Sequence, residues 1–555
     1  MIRRAALATA ALTFCLSGIA LIHAQAPRRN VQTPPFRDGA YLNPMGLALS
    51  ADGRRAFVAL NGVNVVAVVD LESGRILSRV ETGTHPYEVR RTDATLYIGD
   101  DDPEYLILDI PTGKTQRGGS SRLPDGSVRQ SAAVEIPLAK ELGRFGLHLE
   151  TEPDWASGHQ GRVTGAVFNN SLHATFPYDP FVPIASAKGR FGVLGFGGGF
   201  GGLDQSARLS GPIDTGRLGA ADPADAAWSA SSQMLFVAAA GSDAVLAFPT
   251  RPMQAAVTAA ANRPAPHPQA GWGVWGGAPA PPVAALLTPV PLILKAQSNP
   301  RKIAVSSDGR LLVVSNRLSD SLTVIAADSL GVRVVKHISL DGPPAGPARR
   351  GEILFHSNRM TFNSRFTCAS CHPGGGSDGR VWDTPDEDPG PRRTKPLFGV
   401  ADTAPYGWHG DSQTLAARVR KTLTKLHRVT PSPAQVGDLV AYLQSLPAPK
   451  APPVFDEDRA AVASGRGLFE VKARCARCHS GDTFQDGDVH DVGYGGPFRT
   501  PSLRGVSERS PLLHDGRAFS IEDIFHRHNE KKHHGAADTL SKDELADLIA
   551  FLKTL

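Results

Sequence analysis

Cysteine is nearly absent from this chain. Only five of 555 residues are Cys, and four of them fall in two pentads, Cys368-Ala369-Ser370-Cys371-His372 and Cys475-Ala476-Arg477-Cys478-His479. The fifth, Cys15, lies in the leader, so no cysteine is left over for a disulfide framework. Methionine is equally scarce: after Met1 come only Met45, Met234, Met253 and Met360, none beyond the second pentad. Aromatic residues are 7% of the chain, and the formal net charge is only +5 with no long basic run. That balance gives no footing for nucleic acid as a partner. Long apolar runs are missing too, apart from residues 5–22. Arg3 and Arg4 precede that run and Ala24-Gln25-Ala26 follows it, the pattern of a cleaved export signal over residues 1–26. An uncleaved leader acting as a membrane anchor is the alternative, because the run approaches a span in length. Either way the expected location is periplasmic.

Glycine (57) and proline (44) are plentiful, as many tight turns require. Asn43-Pro44 opens an alternating run that leads to Ser50-Ala51-Asp52-Gly53-Arg54, and Asn299-Pro300 leads likewise to Ser306-Ser307-Asp308-Gly309-Arg310. His85-Pro86 begins a shorter relative, and another lies near Trp228. Short alternating strands with Asp-Gly turns imply antiparallel hairpins, and a repeat of about 40 residues implies propeller blades. The unit resembles a YVTN-type blade. The expectation is an all-β propeller over residues 27–345 with about seven blades. The glycine-rich stretch 191–202 reads as a long turn and 255–282 as an extended loop. His148, His159 and His173 are scattered without metal-ligand spacing and read as ordinary surface or turn residues.

From about residue 346 the pattern becomes helical. Each pentad is Cys-x-x-Cys-His, the attachment signature of a c-type haem. Two thiols take up the haem vinyl groups and the adjacent His becomes the proximal iron ligand. A zinc ribbon or a thioredoxin-like pair is the competing reading; the His after both pairs and the export signal favour haem. The two pentads belong to an internal duplication. Leu354-Phe355 precedes the first and Leu468-Phe469 the second. Arg393-Thr394, Gly399-Val400, Pro405 and Trp408-His409-Gly410 then match Arg499-Thr500, Gly505-Val506, Pro511 and His514-Asp515-Gly516 at constant offset. Each half closes on an amphipathic helix. Two all-α cytochrome c domains, 346–450 and 451–555, are therefore expected in tandem.

With the pentads, the Leu-Phe pairs, Thr500-Pro501-Ser502-Leu503-Arg504 and His514-Asp515-Gly516 together, residues 350–555 resemble the bacterial diheme cytochrome c peroxidase and MauG family. The resemblance implies two covalently attached haems and electron relay from the second to the first. It also implies peroxide or another small substrate at the first, and a small cytochrome or cupredoxin as donor. A protein partner at the propeller is a further expectation. The family's distal ligand to the second haem corresponds to His528, so His479 and His528 are expected to share that iron; a methionine ligand from this domain is excluded by composition. In the first half the equivalent position is Thr422, which leaves the iron of His372 open. Trp408 matches the tryptophan that lies between the haems, although His409 replaces the usual Asp. Where the family carries a distal Gln and Glu, this chain has Arg418 and Arg428. His427 is then the candidate acid/base, with Arg418 as electrostatic support, or else a sixth ligand that closes the first haem. Thr500 marks the family's interdomain calcium, and Arg504 is a candidate partner for a haem propionate.

Overall fold

The computed structural model describes residues 40–118 except 93 and 103, four strands between 133 and 214, residues 220–252, and 290–555 except 363, 365, 385, 386 and 530–532. The export signal, the 191–202 and 255–282 stretches and His159 lie outside the described residues.

Five four-stranded antiparallel sheets occupy residues 44–81, 88–118, 133–214, 223–295 and 300–339, each a simple meander in chain order. Their first strands pack side by side. Pro44–Leu49 touches Glu88–Thr92 of the second sheet and Pro300–Val305 of the fifth, and the fifth in turn touches Pro223–Ser229. The last sheet therefore lies against the first, which is the radial arrangement of a propeller. Five sheets are found among the described residues, fewer than the expected seven. His148 and His173 sit opposite one another in strands of the third sheet, not in turns. A cavity of about 440 Å³ opens among the first strands of sheets one, two and five, lined by Leu49, Val89, Tyr97 and Val305.

One backbone device recurs at the entry of four of the five blades. Asn43, His85, Asp222 and Asn299 have φ of 49°, 51°, 51° and 61° and stand directly before Pro44, Pro86, Pro223 and Pro300. Asn, Asp and His are the side chains that best tolerate this left-handed region. A second set of left-handed residues follows the second strand of a blade: Asn64, Asp243 and Asp320. Each accepts the amide of the next blade's corner residue at 2.9 Å: Asn64 from His85, Asp243 from Asn299, Asp320 from Asn43. The last of these bonds ties the fifth sheet to the first. Between the sheets the alternation buries one row of side chains, with Phe236, Val245, Leu312 and Ile325 fully enclosed between sheets four and five.

The helical part comprises α1 (Pro347–Phe355), α2 (Cys368–Cys371), α3 (Leu415–Lys425), α4 (Pro433–Ser445), α5 (Arg459–Gly467), α6 (Ile521–Arg527) and α7 (Lys542–Leu552). The duplication is visible in space. Helix α1 packs on α4 as α5 packs on α7. Gly351 and Gly465 permit those crossings: a Cβ there would lie 1.9 Å from Asp438 O and 2.0 Å from Asp547 O. Capping boxes start α4 (Ser432, Gln435) and α7 (Ser541, Glu544). Separate cores form around Phe355, Leu423 and Leu439 and around Phe469, Leu548 and Phe551. The halves join reciprocally: the Arg393 amide donates to His514 O (2.6 Å), and the matching Arg499 amide donates to Trp408 O (2.8 Å).

Helix α1 also anchors this region on the propeller. Arg349 is buried, donating to Asn43 Oδ1 (2.7 Å), Arg317 O (2.9 Å) and Leu318 O (3.1 Å) and pairing with Asp320 at 3.2 Å.

Candidate haem centres

In the first pentad the Nδ1–H of His372 donates to Gly376 O (3.2 Å). This leaves Nε2 as the free nitrogen. Burial pulls the imidazole down to about 4, so it is neutral, as an iron ligand must be. The hairpin Val381–Thr384 and Asp388–Arg393 carries Glu387 in its turn, and the Glu387 side chain is buried. Arg418 and Thr422 are four residues apart on α3 and share a face. Both bind Glu387 Oε1, Arg418 through Nη2 at 2.8 Å and Thr422 through Oγ1 at 2.5 Å. The charge of Glu387 is felt at both His372 and His427. Arg418 Nη1 is buried without a hydrogen-bond partner.

His427 is buried beyond the end of α3. It donates Nδ1–H to Met360 O (2.8 Å) and meets Phe366 edge-on at 5.1 Å, while burial lowers its pKa. No ring contact joins it to His372 among the described residues. Arg428 is exposed, against Phe362, and does not join the cluster.

In the second pentad His479 likewise donates Nδ1–H, to Phe484 O at 3.1 Å. The histidine facing it is His534, with ring centroids 6.3 Å apart. Two metal–imidazole bonds of about 2 Å plus the ring radii give a bis-imidazole centroid separation of about 6 Å. Tyr494 OH lies 3.0 Å from His534 Nδ1, and Asn529 holds the His534 backbone through its amide N–H (3.0 Å) and carbonyl (3.1 Å). Burial and the neighbouring His479 pull His534 down to about 4. His528, the residue expected from spacing, ends α6 half-buried, and no ring contact with His479 is found there among the described residues.

Between the centres lies a cluster of cations. Burial pushes Arg393, Arg499 and Arg509 down to about 10, and Lys395 well below its ordinary value. Arg393 Nε and Arg499 Nε are buried without partners. Among the described residues none of these four forms a salt bridge with a carboxylate. Unmatched buried guanidiniums and two neutral Nε2 atoms are the donor set that haem propionates and irons require. The residues present therefore fit two haems. Arg504, the expected propionate partner, instead donates to Asp482 O (2.9 Å) and faces Asp402. Thr500 is buried, its amide bonded to Asp488 O at 3.0 Å.

Trp408 is buried at the junction of the halves. Its Nε1–H donates to Arg393 O (3.2 Å), its ring lies 6.3 Å from both Phe498 and His514, and Lys395 Nζ sits 4.0 Å above it. Phe498 stacks on His514 at 4.0 Å and on His409 at 5.1 Å. A continuous aromatic contact thus crosses the interface.

Residues 348–453 match the family described as di-haem cytochrome c peroxidase, and residues 462–555 match cytochrome c. The methylamine utilization protein MauG of Methylorubrum extorquens is 27% identical over 299 residues, 41% of this chain and 84% of that protein. Hydrazine synthase subunit gamma of Kuenenia stuttgartiensis is 25% identical over 272 residues, 37% of this chain and 77% of that protein. A solved structure of hydrazine synthase from the same organism is similar at 24% identity and a TM-score of 0.35, over 38% of this chain and 89% of that one. The matches imply covalently bound c-type haems and a redox function, and the C-terminal region of this chain is similar to the di-haem cytochrome c peroxidase and MauG proteins, carried behind a propeller-like N-terminal part.

Proposed function

We propose that the protein is a periplasmic diheme oxidoreductase that reduces hydrogen peroxide at the first centre, with electrons relayed from the second. The observation that carries this reading is the inequality of the two centres. His534 stands across from His479, whereas at the first centre a carboxylate held by Arg418 and Thr422 lies close enough for its charge to be felt at His372. When bound, a haem at the first centre would supply peroxide reduction, and one held by His479 and His534 would supply electron storage.

The net reaction takes two electrons from a small redox protein and two protons, and turns one peroxide into two waters. Glu387 would take a proton from one peroxide oxygen and return it to the other, so that the second oxygen leaves as water. Arg418 fixes Glu387, and its positive charge stabilises the charge that develops on the leaving oxygen. His427 keeps a free Nε2 and is the second proton carrier of the pocket. Trp408 and His514 give the electron its bridge between the halves. His479 and His534 would hold the second iron, and Arg393, Lys395, Arg499 and Arg509 would take the propionates.

The test is peroxide turnover by the diheme protein with a reduced donor. E387Q should lose about 10²- to 10⁴-fold in rate, the span of one general acid/base, with both haems still attached. Undiminished turnover removes Glu387 from the role, and a parallel H427A variant then decides whether the histidine holds it. If the first haem remains low-spin by electron paramagnetic resonance in every redox state, the peroxidase reading fails and a pure electron carrier replaces it.

A further inference from the structure

We infer that Asp222, a propeller residue, positions the attachment turn of the first haem and sets that haem's reduction potential. The inference rests on the first pentad carrying a haem and is independent of the reaction that haem performs. Thr367 Oγ1 donates to Asp222 Oδ2 at 2.5 Å, and Ser370 Oγ donates to Asp222 Oδ1 at 2.6 Å. One carboxylate from the propeller therefore grips two side chains of the turn that bears Cys368, Cys371 and His372.

Thr367 is fully buried and is the N-cap of α2. It also locks against the propeller at Gly241, where a Cβ would come within 2.7 Å of Thr367 Cγ2. Next to it, Asn358 donates to Ser242 Oγ at 2.7 Å and Arg359 pairs with Asp243. The electrostatic reach of Asp222 extends to both pentad sulfurs.

Two comparisons within the chain make Asp222 distinctive. Asp222 is a blade-corner residue with φ of 51°, and the corresponding corners of the first and fifth sheets are the neutral amides Asn43 and Asn299. Asn43 also faces the haem region, accepting from Arg349. The corner that touches the pentad is the one that carries a carboxylate. In the second pentad Arg477 replaces Ser370, and the cap residue Arg474 makes no side-chain bond. Asp222 thus places a negative charge at the attachment edge of the first haem, where the equivalent position of the second pentad is the basic Arg477. A nearby anion favours the ferric over the ferrous state, so Asp222 lowers the potential of the first haem.

Spectroelectrochemical titration of the full-length diheme protein tests this. D222N is compatible with the fold because Asn occupies two equivalent corners. S370R neutralises Asp222 from the haem side and copies the second pentad. Each should raise the first haem's midpoint alone, with up to about a tenfold rise in its ferrous-to-ferric ratio at fixed potential, or about 59 mV for one electron. D222E should keep the native value. An unmoved first wave in both D222N and S370R, equal shifts in both waves, or a D222E shift as large as that of D222N would each overturn the assignment. Selective shifts in a protein that turns over no peroxide would remove the peroxidase reading and leave this one standing.

Discussion

His534 and Thr422 are the residues at which the two centres part. Thr422 holds Glu387, and the position that the duplication equates with it, His528, ends a helix, while His534 stands opposite His479. Counting along the chain predicts His528 because a fixed offset assumes a continued helix, and α6 stops at Arg527. The His533-His534-Gly535 run beyond it was the available signal; the path of a loop is not written in periodicity. Glu387 escaped for a different reason. Its hairpin lies outside the block whose offsets match, so aligning the halves never reached it. By contrast the pentads, with both cysteines and the adjacent His, were fully legible, since covalent attachment fixes residue type and spacing together. The residue-scale prediction is that H534A abolishes the low-spin bis-histidine signal of the second haem, whereas H528A leaves it intact. The reverse pattern in low-temperature spectra would restore His528.

Elements meet where side chains are smallest. Helix α1 crosses α4 at Gly351 and α5 crosses α7 at Gly465, each against a backbone carbonyl about 2 Å from where a Cβ would stand. A carbonyl of a packed helix cannot rotate away, so a methyl group there must push two helices apart. G351A and G465A should each lose about 1–3 kcal/mol in denaturant unfolding, the usual penalty of overpacking. Gly437, within α4, has nothing within 4 Å of its would-be Cβ. G437A should instead gain up to about 1 kcal/mol from helix propensity alone. Equal effects at Gly351 and Gly437 would refute the close-crossing account. The Gly-x-x-Leu-Phe block was visible in both halves of the sequence, but that its glycine is a contact point required the partner helix. Blade entry is legible in the same partial way: Asn-Pro and His-Pro are readable as repeats, whereas the blade of Asp222-Pro223 lacks the Asp-Gly turn that marks the first and fifth.

At the scale of the molecule, a buried polar seam joins propeller to haem domains. Arg349 supplies five hydrogen bonds to it, two of them to the carboxylates of Asp320 and Glu352. R349M leaves Asp320 enclosed without its cation, and losing one partner of a buried pair costs about 3–5 kcal/mol. Denaturant unfolding should register a loss of that order. His356 sits in the same seam, 3.1 Å from Arg317 Nη2, from which its Nε2 accepts. Burial first, then Arg317, holds its pKa well below the ordinary value. The unfolded chain protonates this histidine near 6.5 while the folded one does not. Stability from this group is therefore complete above about pH 6.5 and falls as the pH drops, by at most about 1.4 kcal/mol per unit. H356Q should flatten that part of the pH profile of the urea midpoint; an unchanged slope would exclude His356 as its source.

The reciprocal bonds Arg393 to His514 and Arg499 to Trp408 have a consequence for how such a molecule is free to change. A contact in which residue i of one half meets residue j of the other, and j meets i, is the isologous pattern of a two-fold homodimer. In a homodimer every substitution appears twice, so the two active centres are compelled to remain alike. Joining the copies in one chain lifts that constraint. Tryptophan can then stand on one side of the axis and histidine on the other, and one centre can close its iron while its twin stays open.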